Sequence, residues 1–352
     1  MGLIGGILLM LQPITLAEET KSLATPLKQK ITPRVEFGQR LEPFGRVLSG
    51  AGQNFAMSAE KKLGGYDAFA TAMPEGIKPA LCSEYVSLKM KGVEKYIAHS
   101  IGKNLLKYPW YVVPQIGVSM VVNEGSKPDH YENQVAEGEY DTQIAALCRG
   151  LKTLNRPVYL RIGYEFNGFW NGYRPEPYKK AFIRITQALR GAKLDDVATV
   201  WCCRGGGGKN KKELEEFYPG DQWVDWFGID LWNKDQFTSR STGLRTLLDM
   251  AMNHHKPVII CESTPHGLFI NKGQEAWANW FQPYFAMIER EPIIKAFVYI
   301  NWNWKNSRWP TWGDGDIENS PLIVKHIRET LVSPLYLNAL PTREAFLKNL
   351  RK

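Results

Sequence analysis

Two glutamates stand where a strand-like run breaks into loop. Val158-Tyr-Leu-Arg-Ile-Gly-Tyr-Glu165 runs into Phe-Asn-Gly-Phe-Trp170, and Lys256-Pro-Val-Ile-Ile-Cys-Glu262 runs into Ser-Thr-Pro-His-Gly267. Two carboxylates facing each other at about 5–5.5 Å can cleave a glycosidic bond with retention. One attacks the anomeric carbon; the other protonates the leaving oxygen and then activates water. By strand alternation Glu165 shares a face with Gly163 and Arg161, and the glycine leaves Arg161 room to reach up beside the acid. On the other run Glu262 shares a face with Ile260 and Val258, while Cys261 points the opposite way. A neighbouring arginine keeps a nucleophilic carboxylate ionised, and desolvation beside tryptophan raises the pKa of an acid. A single strand-end glutamate reads as half of a structural ion pair. Two of them on separate strands favour chemistry.

The elements that must position these groups follow from the hydrophobic pattern. Short β-rich runs fall at 46–50, 80–88, 111–119, 158–164, 198–203, 224–231, 258–261 and 296–300. Helical patterns alternate with them at 59–73, 92–106, 141–154, 176–191, 211–217, 244–255, 274–290 and 321–331. Runs such as Val258-Ile-Ile are apolar at consecutive positions, as in strands buried on both faces. Strand–helix alternation repeated eight times predicts an α/β protein with a (β/α)8 TIM barrel over 39–335, whose chemistry sits at the C-terminal ends of the strands. An open nucleotide-binding sheet fits less well. Ser49-Gly-Ala-Gly-Gln-Asn54 lacks the GxGxxG spacing, and Gly205–Gly208 before Lys209 lacks the Ser or Thr of a phosphate loop.

The chain has 352 residues, is 44% hydrophobic and 23% charged, and carries a net charge of +8. That balance is globular and excludes extended disorder and coiled coils. Aromatics are dense, with 12 Trp, 15 Tyr and 15 Phe. Trp302, Trp304, Trp309 and Trp312 fall within one short stretch. Sugar rings pack their C–H faces on such side chains, so the loop residues Trp170, Tyr173, Trp232, Trp302 and Trp304 suggest carbohydrate subsites. Residues 1–17 are uncharged and mostly apolar ahead of Glu18 and Glu19, which predicts a signal peptide and a secreted or periplasmic protein. Residues 18–38 then form a tail, and 336–352 a C-terminal tail with a short helix begun at Pro341-Thr-Arg-Glu344. Secretion disfavours a nucleic-acid partner, and no later apolar stretch is long enough to span a membrane. The five cysteines are odd in number and lack CxxC spacing, so they read as buried small hydrophobes. His254-His255 lies at a helix C-terminus, and Asp314-Gly-Asp316 lacks the spacing of a calcium loop, so no metal or cofactor is expected.

Three blocks resemble glycoside hydrolase family 26, the β-mannanase family of retaining barrel glycosidases. They are Arg161 to Trp170, the stretch Tyr218-Pro-Gly-Asp-Gln-Trp-Val-Asp-Trp-Phe-Gly-Ile-Asp-Leu-Trp232, and Lys256 to Glu262. Together they span about half the barrel. The resemblance implies Glu165 as acid/base and Glu262 as nucleophile, with Arg161, Tyr164, Asn167, Trp170, Trp232 and Trp302 around the substrate. It also implies an endo-acting enzyme on a polysaccharide of the β-mannan or xylan type. Two positions depart from the family. Tyr164 replaces the usual His, and Trp232 replaces a Tyr that hydrogen-bonds the nucleophile. Basic residues in the loops (Arg174, Arg204, Lys209, Lys234, Lys305 and Arg308, with His266) give a rival expectation, an anionic or sulfated algal polysaccharide such as a carrageenan. The change at Trp232 gives another, a barrel that binds glycans without cutting them.

Overall fold

Apolar runs buried on both faces form the staves of a parallel sheet that closes on itself. The computed structural model describes residues 32–53, 64–122, 125–205, 211–239, 243–307 and 309–351. The expected signal peptide and most of the 18–38 tail lie outside them. The strands are β1 (Val47–Leu48), β2 (Gly50–Gly52), β3 (Leu81–Ser87), β4 (Val113–Ser119), β5 (Val158–Ile162), β6 (Val197–Arg204), β7 (Trp226–Leu231), β8 (Val258–Ser263), β9 (Ile294–Ile300) and β10 (Tyr336–Leu337). β1 and β2 are one stave interrupted at Ser49, and β9 pairs with both of them and with β8, which closes eight staves into a barrel. β10 adds to the outer side of β1.

Alternation then sorts each strand into two layers. Leu81, Val113, Tyr159, Val200, Trp226, Ile259 and Val298 fill the barrel interior. Val158, Leu160, Ile162, Phe227, Ile229, Val258 and Ile260 face outward into the shell of helices. Helix Asp141–Leu154 shows why that shell forms. Its buried Ile144, Leu147, Cys148, Leu151 and Leu154 recur at helical spacing, and left-handed Asn155 stops it. Helix Pro175–Gly191 starts on proline, which has no N–H to leave unpaired there. Two helices carry a π-helical turn, at Tyr96–Ile101 and Trp277–Phe281. The short helices Glu132–Glu137 and Asp235–Thr238 give too few residues for a periodic signal. Of the helix expected over 59–73, the described part is Gly65–Ala72.

The end of the barrel opposite the strand C-termini is shut. Phe346 and Leu350 join Leu41 and Tyr111 beneath the interior cluster. Thr342 caps the helix Arg343–Leu347 by accepting from the Ala345 N–H. Lys295 and Glu42 form a fully buried ion pair at 3.3 Å, and Glu42 also accepts from the N–H groups of Phe37, Gly38 and Gln39. The open end is left to the loops that follow β3 to β9.

Candidate active site

β5 ends earlier than the sequence suggests. Gly163 adopts a left-handed backbone with φ of 57°, and Glu165 does so with φ of 49°. The strand therefore stops at Ile162, and the predicted shared face of Arg161, Gly163 and Glu165 does not continue past it. A Cβ at Gly163 would meet Met120 and Tyr178 in the outer shell, so glycine is required by space as well as by φ. The turn re-aims Tyr164 onto the barrel interior, where its ring lies 4.9 Å from the Arg161 guanidinium and edge-on to Tyr85 at 5.5 Å. Gly117 makes room for both rings, since a Cβ there would sit 2.9 Å from each. The Glu165 turn is pinned by Asn171 Nδ2, which donates to the carbonyls of Tyr164 and Glu165. Trp170 donates its indole N–H to Glu165 Oε2 at 2.8 Å.

β8 departs from regular alternation in the opposite sense. Its register with β7 shifts between Ile229 and Asp230, so that Ile229 faces Ile260 but Asp230 faces Glu262. This bulge at Cys261 turns Glu262 inward although Cys261 is already inward, which corrects the expectation that the two point apart. Gln115, from β4, reaches across the barrel and donates to the Cys261 carbonyl at 3.0 Å. Glu262 Oε1 accepts from Arg161 Nη1 at 2.6 Å and from the Tyr85 hydroxyl at 2.7 Å. Burial, and then the Glu262 charge, push the Tyr85 phenol well above its ordinary value, so it stays a donor.

Arg161 is fully buried and shared. Its Nη2 donates to Asp230 Oδ2 at 2.7 Å while Nη1 holds Glu262, so one cation serves two acids. Burial opposes the guanidinium charge, but Asp230 and Glu262 outweigh it and hold Arg161 above its usual value. Burial pushes the Asp230 carboxyl well up against the pull of Arg161, and the charges of Glu262 and Glu165 add to that push. Arg161, Asp230 and Glu262 thus form a buried charged layer, close enough to Glu165 for its charge to act on Asp230.

Of the residues named from sequence, Arg161, Tyr164, Glu165, Trp170, Trp232, Glu262 and Trp302 come together at this end. Tyr164, Trp232, Trp302 and Trp312 are half-buried and rest on the interior cluster. Trp232 meets Trp312 edge-on at 5.0 Å, and Trp312 meets Trp304 at 5.1 Å. Trp170 has the Arg204 guanidinium 5.5 Å from its ring centre and Phe169 against its edge, and Phe169 is 70% exposed. Asn167 Oδ1 accepts the Arg204 N–H, and its carbonyl accepts Arg204 Nε. Tyr173 is buried, and its hydroxyl oxygen accepts the Met120 N–H at 2.9 Å.

Several of the basic loop residues are committed elsewhere. Arg174 pairs with buried Glu132, and Lys305 lies over Phe269. Lys209 and Arg308 fall outside the described residues. His266 bonds Asn233 through Nδ1, and burial lowers its pKa. Sequence reasoning missed Tyr85, Gln115 and Asp230. Asp230 had a signal, because alternation on β7 places it inward with Gly228, two residues before Trp232.

A closed (β/α)8 barrel with acidic side chains and an aromatic mouth at its C-terminal end is the architecture of a barrel glycoside hydrolase. The chain matches the family model described as Glycosyl hydrolase family 26 over residues 45–296, and it belongs to that family. It is 28% identical over 322 residues to a β-1,3-xylanase, TXYA, of a Vibrio species, covering 81% of this chain and 66% of that protein. It is 31% identical over 235 residues to a β-1,3-xylanase of an Alcaligenes species, covering 58% of this chain and 49% of that one. The chain therefore spans about two thirds and about half the length of these two relatives. Among solved structures, the catalytic domain of a family 26 endo-β-1,4-mannanase of Bacillus sp. JAMB-750 shares the fold with a TM-score of 0.59 at 15% identity, covering 83% of this chain and 87% of that one. GH26C of Muricauda sp. MAR_2010_75 does so with a TM-score of 0.59 at 13% identity, covering 87% and 88%. By family membership the chain is a glycoside hydrolase. Among the described residues no helix is long and apolar enough to cross a membrane.

Proposed function

We propose that this chain is a retaining endo-hydrolase of β-1,3-linked xylan, with Glu262 as nucleophile and Glu165 as acid/base. The observation that carries the mechanism is the unequal setting of the two acids. Arg161 and Tyr85 both donate to Oε1 of Glu262, which leaves Oε2 to attack. In the first step Oε2 bonds to the anomeric carbon, the glycosidic C–O bond breaks, and Glu165 gives its proton to the leaving oxygen. Trp170 donates to Oε2 of Glu165 and holds the carboxyl group in place for that transfer. In the second step water bonds to the same carbon, gives a proton to Glu165, and releases Glu262.

The substrate half of the reading is supported by the names of the two relatives and by the crowding beside the glutamates. Tyr164 and Trp232 are larger than the His and Tyr usual in the family, and Tyr164 is fixed between Arg161 and Tyr85. A pentose has no hydroxymethyl group to fit beside such rings. A polymer of this kind is met outside the cell, in keeping with a secreted protein. Incubation with β-1,3-xylan, β-1,4-xylan, β-1,4-mannan and a sulfated galactan, with products followed by NMR, tests it. Oligosaccharides released first as the β-anomer from β-1,3-xylan are expected. Release from mannan or the sulfated galactan instead would overturn the substrate, and an α-anomer would overturn the mechanism.

Tyr85 acts as a positioning residue for the nucleophile. A hydrogen bond to a charged group is worth about 1.5–3 kcal/mol, so Tyr85→Phe is expected to lower kcat roughly 10- to 100-fold with little change in KM. Steady-state kinetics on xylo-oligosaccharides would check this. An unchanged kcat would remove Tyr85 from the mechanism.

A further inference from the structure

We propose that Cys202, Cys261 and Asp230 form a binding site for a soft, thiol-seeking cation of the Hg2+ class, directly beneath the candidate nucleophile. The three side chains come from β6, β8 and β7 and are fully buried. Their ligating atoms all lie within 4.8 Å of one another, and among the described residues no other set of three or more His, Cys, Asp and Glu side chains does this. Gly228 on the intervening strand makes the meeting possible. A Cβ there would lie 2.7 Å from Cys261 Sγ and 2.9 Å from Cys202 Cβ, so the two cysteines occupy the space a side chain would need.

The pair is built to stay reduced. β6 and β8 flank β7, which separates their backbones by about two strand spacings of 4.7–4.9 Å, more than the roughly 7 Å a disulfide tolerates. Both cysteines are free. A metal reaches further than a sulfur–sulfur bond. With metal–thiolate bonds of about 2.3 Å, as for zinc, a cation between two sulfurs bridges a gap of up to about 4.6 Å.

Charge selects the kind of cation. Arg161 Nη2 lies 3.4 Å from Cys202 Sγ and 2.7 Å from Asp230 Oδ2, so a hard dication would meet a guanidinium and a single carboxylate. A soft dication instead displaces two thiol protons. One M2+ enters, two H+ leave, two metal–sulfur bonds form, and the net charge beside Arg161 is unchanged. Both thiols are fully buried, so only a cation with strong thiolate affinity takes them in place of their protons. Occupancy would draw Asp230 from Arg161, the residue that also holds Glu262. Activity should therefore fall, and slowly, because the site has no exposed surface.

The test is one equivalent of mercuric chloride on the intact protein. Sulfur-to-mercury charge-transfer absorbance, residual activity and alkylation of the unfolded product, mapped by mass spectrometry, are read together. The expected result is one mercury per chain, joint protection of Cys202 and Cys261 with Cys82, Cys148 and Cys203 alkylated, and activity lost in step and recovered with dithiothreitol. Cys261→Ala is expected to lose both the absorbance band and the one-equivalent inactivation. Mercury mapped to other cysteines, or both thiols remaining alkylatable, would overturn the proposal. The footprint is read on the unaltered protein, so it decides the matter even where the variant fails to fold. Absorbance and footprint need no turnover, which keeps this test separate from that of the proposed hydrolysis.

Discussion

Glu262→Ala is expected to abolish hydrolysis, a loss on the order of 10^5-fold by the scale seen when an enzyme loses its nucleophile. Glu165→Ala is expected to be milder, about 10^2- to 10^4-fold, since it removes general acid–base catalysis alone. The two variants should differ in kind as well as degree. With an activated aryl glycoside the leaving group needs no proton, so Glu165→Ala should form the glycosyl-enzyme nearly normally and stall at its hydrolysis. Azide then enters where water would, giving the β-glycosyl azide. In Glu262→Ala azide replaces the missing carboxylate from the opposite face, giving the α-azide. NMR of the azide products assigns both roles in one experiment. The same anomer from both variants, or no azide product from either, would break the assignment of the two glutamates.

The barrel itself is legible because its strands are buried on both faces. Consecutive apolar residues such as Val258-Ile-Ile and Phe297-Val-Tyr-Ile300 leave a parallel sheet as the natural reading. The two glutamates are legible as strand-end acids, but their orientation is not. Gly163 bends β5 through a left-handed residue, and Cys261 bulges β8 without any glycine to announce it. Each deviation breaks the period of two on which a face is assigned. Tyr85 is hidden for another reason. It meets Glu262 across 177 residues, and nothing in the local pattern of β3 distinguishes it from any other inward aromatic. Trp170 was expected as a sugar platform, and its N–H is instead bonded to Glu165. That contact depends on a loop conformation that no periodicity encodes.

Arg161 carries the largest expected effect on stability. It is fully buried, and its Nη1 and Nη2 hold Glu262 and Asp230 at 2.6 and 2.7 Å. Truncating one partner of a buried ion pair costs about 3–5 kcal/mol, because the charge left behind has no water to solvate it. Arg161→Met should therefore lower Tm by on the order of 10 °C, at roughly 2–4 °C per kcal/mol for a large domain. The second substitution separates folding from chemistry. Asp230→Asn in the Arg161→Met background removes the more deeply buried of the two stranded acids and leaves an amide, so a large part of the lost stability should return. Activity should not return, because Glu262 still lacks its guanidinium. Arg161→Lys should restore the charge but not the fork, since an ammonium is a point donor that cannot span both acids in one geometry. Calorimetry and kinetics on these three variants and on Asp230→Asn alone give the coupling directly. If Asp230→Asn restored turnover along with stability, Arg161 would be a structural strut and Glu262 would not depend on it.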